Sequence, residues 1–314
     1  MEVRVEYYMI DIVIVNWNSG IQLKQCIDSI LAHSINKISR IIIVDNGSID
    51  CSADSVEDLS KVELIRAGEN LGFGAACNIG AKAGDAPYIL FLNPDTRIES
   101  NSLSVPLVFM EQAYNSKVGI CGIQLVDEQG VVSRSCAYSP TFKRLFFSAI
   151  GLDKFSKFKS TGIAMSTWNH LNTQQVDQVI GAFYFIRRNV FESCKGFDEQ
   201  FFVYFEEVDV AKRIKDLGWT SWYLTEAKAF HAGGGTSQQV KAHRLFYILR
   251  SRLLYAFKHF PRWQASLLLI VVFLVEPFTR TIWCLIRRDI TGIKHTWSAF
   301  RMLGGSVGNI LRNN

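Results

Sequence analysis

Three polar residues stand after short apolar runs of the sequence. Asn16 follows IVIV, Asp45 follows IIIV, and Asp95 follows YILFL through Asn93 and Pro94. A carboxylate in this position could cap the next turn, for which Asn-Pro-Asp-Thr is favourable. Alternatively it could bind Mg²⁺ or Mn²⁺, which takes one or two protein carboxylates together with phosphate oxygens and water. For Asp45, the alternative to a turn is a hydrogen bond to a ribose hydroxyl or a pyrimidine N–H.

His231 ends a later strand-like run, SWYLTEAKAFH, and precedes three glycines that predict a flexible loop at 233–235. It is either a loop histidine held by hydrogen bonds or a nitrogen ligand for the same cation, where it could also contact phosphates.

The stretch YFEEVDVAKR places Glu206, Glu207 and Asp209 at the start of a predicted helix. Acids there stabilise the helix dipole, and Asp209 is spaced to pair with Arg213. However, the aromatic stretch GFDEQFFVYF precedes them, which predicts a wall poor in water. A carboxylate in such a wall could instead deprotonate an incoming hydroxyl group.

Gly72 and Gly74 precede a predicted helix, where close approach of the backbone suits a phosphate. The signal is weak, because Cys77 stands where a dinucleotide fingerprint has its third glycine, and the segment does not follow the first strand. No GxxxxGK[ST] sequence occurs. A Rossmann dehydrogenase and a P-loop enzyme are therefore disfavoured.

Strand-like and helix-like patterns alternate through the first 100 residues. Apolar, β-branched runs at 9–17, 40–47 and 87–95 predict buried parallel strands, and the segments 20–33 and 75–84 predict helices. This alternation predicts an α/β fold with a mostly parallel central sheet. Ligands of such sheets lie outside the carboxyl ends of the strands, so the polar residues that end these runs are expected to converge on one crevice.

The later part of the chain is patterned less regularly. Residues 139–162 predict a loop and a helix rich in lysine, which we expect to vary and to face an acceptor. An amphipathic helix is predicted from Glu206 to Leu217, ended by Gly218, with four inward residues: Val208, Ala211, Ile214 and Leu217.

The composition of the 314 residues, 48% hydrophobic and 20% charged, is that of a folded protein and not of a disordered one. The seven cysteines are scattered and never form a CxxC pair, which predicts neither a disulfide framework nor a zinc site. The first residues carry acids and show no signal peptide, so a reducing cytosol is expected.

Residues 241–314 form a basic and apolar tail. They hold 12 Lys and Arg against two acids, a net charge of +10, so residues 1–240 carry −5 of the total of +5. The apolar run from Ala265 to Val275 is too short to span a bilayer, which takes roughly 20 residues. It predicts either a core helix or, with Trp263, Trp283 and Trp297 and the basic residues nearby, a helix pair that lies on an anionic membrane surface. Nucleic acid is disfavoured as a partner. We expect a domain at 1–240 and a helical, membrane-associating region at 241–314.

Seven stretches occur together in one order: VNWNSG, IIIVDNGSID, NLGFGAACNIG, LFLNPD, GAFYFIRRNVFE, GFDEQFFVYFEEVD and HAGGGTS. In this order, from about residue 9 to 237, they resemble family 2 glycosyltransferases of the GT-A fold, and within them the bacterial rhamnosyltransferase-like branch. Several independent motifs carry the resemblance.

The resemblance implies a nucleotide-diphosphate sugar bound in the crevice. The implied donor-binding residues are Asn16, Asp45, Asn70, Gly72, Asn93 and Asp95. Asn93-Pro94-Asp95 resembles a variant of the DxD element of the family, with Asp95, together with His231, as the ligands of Mg²⁺ or Mn²⁺. Glu207 corresponds to the general base and Glu206 to its neighbour, and either of them could take the proton. Four residues would lie on the acceptor side: Gly181, Ala182, Phe205 and Asp209.

Enzymes of this kind invert the anomeric carbon in a single displacement. The resemblance favours dTDP-rhamnose as the donor, with a UDP-hexose as the alternative. It implies a saccharide or polyprenyl-diphosphate-linked acceptor in polysaccharide or O-antigen synthesis at the cytoplasmic face of the inner membrane. A homo-oligomer is possible. A sugar nucleotidyltransferase and a lectin-like binding protein are the competing interpretations, but VNWNSGIQLK lacks the basic, glycine-rich loop that a triphosphate would require.

Overall fold

The computed structural model describes residues 10–233 and 241–312. The strands are β1 (Ile10–Asn16), β2 (Ile38–Asp45), β3 (Val62–Arg66), β4 (Tyr88–Leu92), β5 (Thr96–Ile98), β6 (Val118–Val126), β7 (Cys136–Ala137), β8 (Gln174–Val176), β9 (Gln178–Val179), β10 (Phe183–Arg187) and β11 (Thr220–His231). The helices are α1 (Ile21–Ser34), α2 (Phe73–Ala83), α3 (Ser104–Glu111), α4 (Phe142–Ala149), α5 (Arg188–Ser193), α6 (Glu206–Asp216), α7 (Lys241–His259), α8 (Arg262–Leu274), α9 (Glu276–Ile286) and α10 (Ile290–Arg312).

The central sheet has the strand order β3-β2-β1-β4-β10-β6-β11-β5, with β8 paired to β11. Strands β3, β2, β1 and β4 are parallel, whereas β10 runs antiparallel between β4 and β6. All seven residues of β1 are buried, as expected for a strand covered on both faces. The predicted α/β fold with a mostly parallel sheet is therefore confirmed.

The register of the sheet brings polar residues that are distant in sequence to one edge. Asn16 pairs with Asp45 at the ends of β1 and β2. At the other side of the sheet, β5 runs antiparallel to β11, so that Thr96 pairs with His231. Because Asp95 precedes Thr96, this pairing places His231 beside Asp95.

The predicted helices at 20–33, 75–84 and 206–217 correspond to α1, α2 and α6. The inward position predicted for Leu217 is wrong, since 54% of this residue is exposed. Helix α6 ends at Asp216, and Gly218 turns the chain with a φ of +86°, so Leu217 has left the helical periodicity. The predicted start of the first strand at Met9 and the glycines at 234 and 235 lie outside the described residues.

Three of the four C-terminal helices share a hydrophobic core with the preceding part of the chain. Phe201, in the loop before α6, and Val208, in its first turn, pack in one cluster with buried residues of α7, α8 and α10 such as Leu253, Leu268 and Leu303. One stripe of the apolar run in α8 is thus core. The division of the chain at residue 240 stays a prediction, and the packing is continuous across it.

The opposite face of α8 and α9 is exposed and apolar. We call this the exposed apolar face, and its residues are Trp263, Leu267, Ile270, Leu274, Phe278, Ile282, Leu285 and Ile286. In the described part of the chain no helix alone meets the length and hydropathy of a membrane span. Helices α8 and α9 meet them only when taken together, across a bend of 43°.

A buried ion pair connects α7 to α9. Arg252 donates a hydrogen bond to Glu276, and the two residues are 4% and 1% exposed. Arg280 donates a second bond to Glu276 at 2.9 Å. All seven cysteines are free in the structure.

Candidate active site

A cavity of about 700 Å³ opens at the carboxyl edge of the sheet. Its walls come from the ends of β1, β2, β4 and β11, from the loops before α2 and α6, and from the first turns of α7. The lining side chains include Trp17, Asn46, Asn70, Asn93, Asp95, Phe202, Tyr204, Glu206, Glu207, His231, His243, Arg244 and Tyr247. The expected convergence of Asp95 and Glu207 on one cleft is thus present in the structure.

Asp95 and His231 form a pair on one wall of this cavity. Nε2 of His231 lies 3.3 Å from Oδ1 of Asp95, and the side chains are 13% and 10% exposed. The backbone N–H of Ala232 donates to the carbonyl oxygen of Asp95 at 3.2 Å, which fixes the end of β11 against the turn after β4. A rigid strand and a hydrogen-bonded turn therefore hold one carboxylate and one imidazole next to open space.

These two side chains fit a divalent cation held in an incomplete protein shell. Among residues 10–233 and 241–312, no group of three or more His, Cys, Asp or Glu could hold a metal ion alone. Magnesium and manganese commonly take only one or two protein carboxylates and complete their shell with phosphate oxygens and water. The Asp95–His231 pair is suited to that type of site and not to a closed structural one.

Asn93, Gly181 and Ala182 lie beside Asp95 and also line the cavity. The N–H of Asn93 donates to the carbonyl oxygen of Ala182 at 3.1 Å, which joins the turn after β4 to the start of β10. These three predicted site residues are therefore brought together with Asp95.

Asn16 and Asp45 occupy a different place from the one predicted. Neither lines the cavity, and they are 0% and 6% exposed. Nδ2 of Asn16 donates to Oδ1 of Asp45 at 2.9 Å and to two serine hydroxyls, so the pair joins the ends of β1 and β2. In this structure the pair supports the strand ends outside the cavity lining, and its direct contact with the donor stays a prediction.

Asn46, which sequence reasoning missed, lines the cavity in their place. Its Nδ2 donates to Oδ1 of Asn70 at 3.1 Å, and its Oδ1 accepts from the N–H of Leu71 at 2.9 Å. These bonds hold the loop before α2, so that Asn70 and Gly72 face the cavity as predicted.

Gly72 is required by a protein contact as well as by its place in the lining. Its φ is +88°, and a Cβ added there would lie 2.4 Å from the carbonyl oxygen of Phe202. The N–H of Phe73 donates to that same oxygen at 2.7 Å. The close approach predicted for a phosphate is thus made by the loop that leads into α6.

Glu206 and Glu207 begin α6 and both line the cavity. The two residues before them, Tyr204 and Phe205, have φ values of +67° and +72°. Such backbone is strained for bulky side chains and is found where the surrounding structure enforces it, often at functional sites. This turn directs the first two residues of α6 toward the cavity.

Burial raises the pKa of the Glu206 carboxyl well above its usual range, and the neighbouring Glu207 adds to the rise. Burial also raises the pKa of Glu207. One oxygen of each side chain, Oε2, is buried and has no hydrogen-bond partner. The pair is therefore suited to hold a proton at a higher pH than ordinary glutamates do and to exchange it with a bound ligand.

Asp209 and Phe205, predicted on the acceptor side, do not line the cavity. Asp209 is 0% exposed and accepts bonds from Nε of Arg213 at 2.7 Å and from Nε2 of His259 at 2.7 Å. Burial opposes its ionisation, but these bonds and the Lys258 charge outweigh burial and hold its pKa below the usual range. Asp209 is thus corrected to a buried link between α6 and α7. Phe205 is corrected to a packing residue, whose ring lies 5.7 Å from that of Tyr255.

The wall contributed by α7 was missed by sequence reasoning. His243, Arg244 and Tyr247 line the cavity although they follow the predicted domain boundary. The ring of Tyr247 stacks on Phe202, with centroids 4.8 Å apart and planes at 20°. The available signal was a basic and aromatic stretch, KAHRLFYILR, directly after the glycine-rich loop.

Comparison with known proteins agrees with this geometry. Residues 11–157 match the family model described as Glycosyl transferase family 2. The N-acetylglucosaminyl-diphospho-decaprenol L-rhamnosyltransferase of Mycobacterium tuberculosis is 25% identical over 272 residues, which cover 82% of this chain and 88% of the relative. Rhamnosyltransferase WbbL of Escherichia coli is 25% identical over 233 residues, which cover 71% of this chain and 82% of the relative.

Two solved structures share the fold. Mannosyltransferase PcManGT from Pyrobaculum calidifontis, in complex with GDP-Man and Mn²⁺, aligns with a TM-score of 0.52 and 14% identity over 95% of this chain and 75% of its own. GalNAc-T7 with UDP, GalNAc and Mn²⁺ aligns with a TM-score of 0.53 and 15% identity over 71% of this chain and 43% of its own. At these identities the likeness shows the fold alone, which is the expected GT-A fold. The family match over residues 11–157 and the two rhamnosyltransferase relatives identify the chain as a glycosyltransferase with a family 2 domain in its first half.

Proposed function

We propose that this glycosyltransferase moves L-rhamnose from dTDP-rhamnose to a lipid-linked saccharide acceptor, with inversion at the anomeric carbon. The observation that carries the proposal is that the Asp95–His231 pair and the Glu206–Glu207 pair line the same cavity. The first pair suits the diphosphate end of the donor, and the second suits the hydroxyl group of the acceptor.

In the proposed mechanism, Glu207 accepts the proton of the acceptor hydroxyl as that oxygen forms a bond to C1 of the sugar. The bond between C1 and the donor diphosphate breaks in the same step, and its electron pair leaves with the diphosphate. A divalent cation at Asp95 and His231 would offset the charge that develops on this leaving group. Asn70 and Asn46 would hold the nucleotide, and the half-buried aromatic wall would limit the access of water.

Glu207 is the better candidate for the base because it is more accessible than Glu206, which is only 5% exposed. Two neighbouring buried carboxylates do not both ionise readily. We therefore place the proton on Glu206 in the resting enzyme, so that Glu207 is free to act.

The transferred sugar and the acceptor are supported by a relative. The mycobacterial relative is an L-rhamnosyltransferase whose acceptor is N-acetylglucosaminyl-diphospho-decaprenol, a glycosyl diphospholipid. A UDP-hexose donor is the alternative, because the cavity residues that would contact the base, such as Asn46 and Trp17, do not by themselves select thymine over uracil.

The test of this function is donor binding measured by thermal shift with and without Mg²⁺ or Mn²⁺. Wild-type protein is expected to be stabilised most by dTDP-rhamnose with the cation. Asp95→Asn is expected to weaken the cation-dependent binding of the donor at least about 100-fold. Even residues that only orient a metal ligand change metal affinity by about 10- to 100-fold. Asp58→Asn, at an exposed position outside the cavity, is the matched control. If donor binding by Asp95→Asn depends on the cation as strongly as in the wild type, Asp95 is not a ligand of the cation. If a UDP-hexose raises the melting temperature of the wild type more than dTDP-rhamnose does, the alternative donor is selected.

We also propose that the exposed apolar face rests on the cytoplasmic surface of the inner membrane, where a lipid-linked acceptor would lie. Residues 241–314 carry a net charge of +10, and Arg287 and Arg288 are exposed at the end of α9. Apolar side chains flanked by basic ones bind anionic lipid surfaces.

The double variant Leu274→Glu with Ile282→Glu is expected to lower partition onto anionic vesicles by at least about tenfold. Both side chains are exposed, at 67% and 57%, so the fold is expected to remain intact. Vesicle cosedimentation of the full chain measures the effect, with Val108→Glu, exposed on α3, as the control. Equal partition of the double variant and the wild type would rule out this face as the membrane contact.

A further inference from the structure

Arg244 is the single arginine or lysine among the described residues that line the cavity. Its side chain is exposed, and it makes no ion pair or hydrogen bond within the part of the chain that the structure describes. His243, its neighbour in α7, lines the same wall. One side of the cavity therefore presents a permanent positive charge that residues 10–233 and 241–312 leave available.

Three other basic side chains of α7 are bonded within the protein. They are Arg250, which donates to the Gln200 carbonyl at 3.0 Å, Arg252, paired with Glu276, and Lys258, which lies 2.8 Å from Asp209. Lys241 is exposed but lies outside the cavity lining. The contrast with these engaged residues indicates that Arg244 serves a ligand and not the packing of α7.

The wall around Arg244 is connected to the proposed base. Tyr247, one turn further along α7, stacks on Phe202, and Phe202 to Tyr204 line the cavity as the chain approaches α6. The rings provide a flat apolar surface of the kind on which sugars and alkyl chains pack. The positive charge thus lies in the same wall as the loop that carries Glu207.

The charges of the cavity favour an anionic acceptor. In the function proposed above, on which this inference depends, the donor diphosphate lies at Asp95 and His231 and has a divalent cation as its partner. Glu207, which the proposed mechanism keeps ionised, would repel a second anion placed close to it. A diphosphate on the acceptor then has Arg244 as its available positive partner in the described lining.

We infer that Arg244, with His243 and the Tyr247–Phe202 rings, forms a subsite for the diphosphate and the adjoining alkyl chain of the acceptor. Arginine binds phosphate oxygens through two parallel N–H groups, which also sets the orientation of the group it holds. The subsite would thereby place the acceptor sugar toward Glu207.

The test measures binding in the absence of turnover. Decyl diphosphate and decyl glucoside, which share a tail, are titrated into the full chain by calorimetry. Arg244→Gln is expected to lower the affinity for decyl diphosphate about tenfold or more, because a charge-assisted hydrogen bond is lost. Its affinity for decyl glucoside is expected to stay within about twofold of the wild-type value. Arg244→Lys, which keeps the charge, is expected to recover part of the affinity. Lys241→Gln is the matched control, because it removes one exposed charge from the same first turn of α7 outside the cavity lining.

Equal affinity of Arg244→Gln and wild type for decyl diphosphate would overturn the subsite. This is also the result expected if the alkyl chain binds at the exposed apolar face, which the substitution does not change. Loss of dTDP binding in Arg244→Gln with decyl diphosphate unaffected would also overturn it, since the arginine would then serve the donor. The subsite and the proposed function can fail separately. If the protein transfers no sugar but binds decyl diphosphate in a way that depends on Arg244, the subsite is upheld and the proposed function is refuted.

Discussion

Replacing Glu207 with glutamine is expected to reduce sugar transfer roughly 10²- to 10⁴-fold, the usual contribution of a general base. Glutamine keeps the shape of the side chain and cannot accept the proton of the acceptor hydroxyl. Binding of the donor nucleotide is expected to persist, because Asp95, Asn46 and Asn70 lie on other elements. Initial rates at saturating donor, together with calorimetry of dTDP, measure the two effects separately.

Glu206→Gln is the internal comparison for this experiment. Because Glu206 is proposed to stay protonated, its amide replacement is expected to retain most of the activity, whereas a larger loss than in Glu207→Gln would exchange the two roles. Glu192→Gln, exposed on α5, controls for the change of charge. Burial raises the pKa of Glu207, and the base must be ionised to act, so the wild-type rate is expected to rise with pH above the range of an ordinary glutamate.

Replacing Glu276 with alanine is expected to destabilise the protein by roughly 3–5 kcal/mol, the cost of removing one partner of a buried ion pair. The substitution leaves Arg252 only 4% exposed and without its carboxylate, and it also removes the bond from Arg280. Urea unfolding followed by circular dichroism measures the free energy of unfolding. Since the pair joins α7 to α9, the loss is expected to appear first in the C-terminal helices.

A compensated variant separates the lost charge from lost packing. In Glu276→Leu with Arg252→Met, both charges are replaced by apolar groups, and most of the stability is expected to return. Glu99→Ala, at an exposed position, is expected to change the free energy of unfolding by less than about 0.5 kcal/mol. A loss below about 1 kcal/mol in Glu276→Ala would show that water reaches Arg252 and that the pair is not needed.

The part of the site that follows from strand ends could be predicted from the sequence. Asp95 and His231 each end an apolar run, and the rule that ligands lie at the carboxyl edge of a parallel sheet brings them together. The same rule does not say which of two successive side chains faces the ligand. Side chains alternate along an extended segment, so Asp45 turns inward to Asn16 and its neighbour Asn46 faces the cavity.

The wall formed by α7 could not be predicted in the same way. Its position depends on packing between distant segments, namely the cluster that joins Phe201 and Val208 to Leu253. The bonds from His259 and Lys258 to Asp209 add a polar connection to that packing. Local patterns identify a helix and its apolar stripe, but the surface that the stripe meets is set by the whole fold.

The two left-handed residues before α6 make the spacing of this segment critical. Each residue advances an α-helix by about 100°, so one residue inserted between Glu207 and Val208 would rotate both carboxylates out of the cavity while leaving the rest of the helix in place. Lengthening the loop at Tyr204 and Phe205 would relieve the backbone there and release the same two groups. Variation in length is therefore expected to be tolerated in the lysine-rich segment at 152–161 and not at 204–208. In a scan of single-residue insertions, variants with an insertion at 152–161 are expected to stay active and those with an insertion at 204–208 to lose activity.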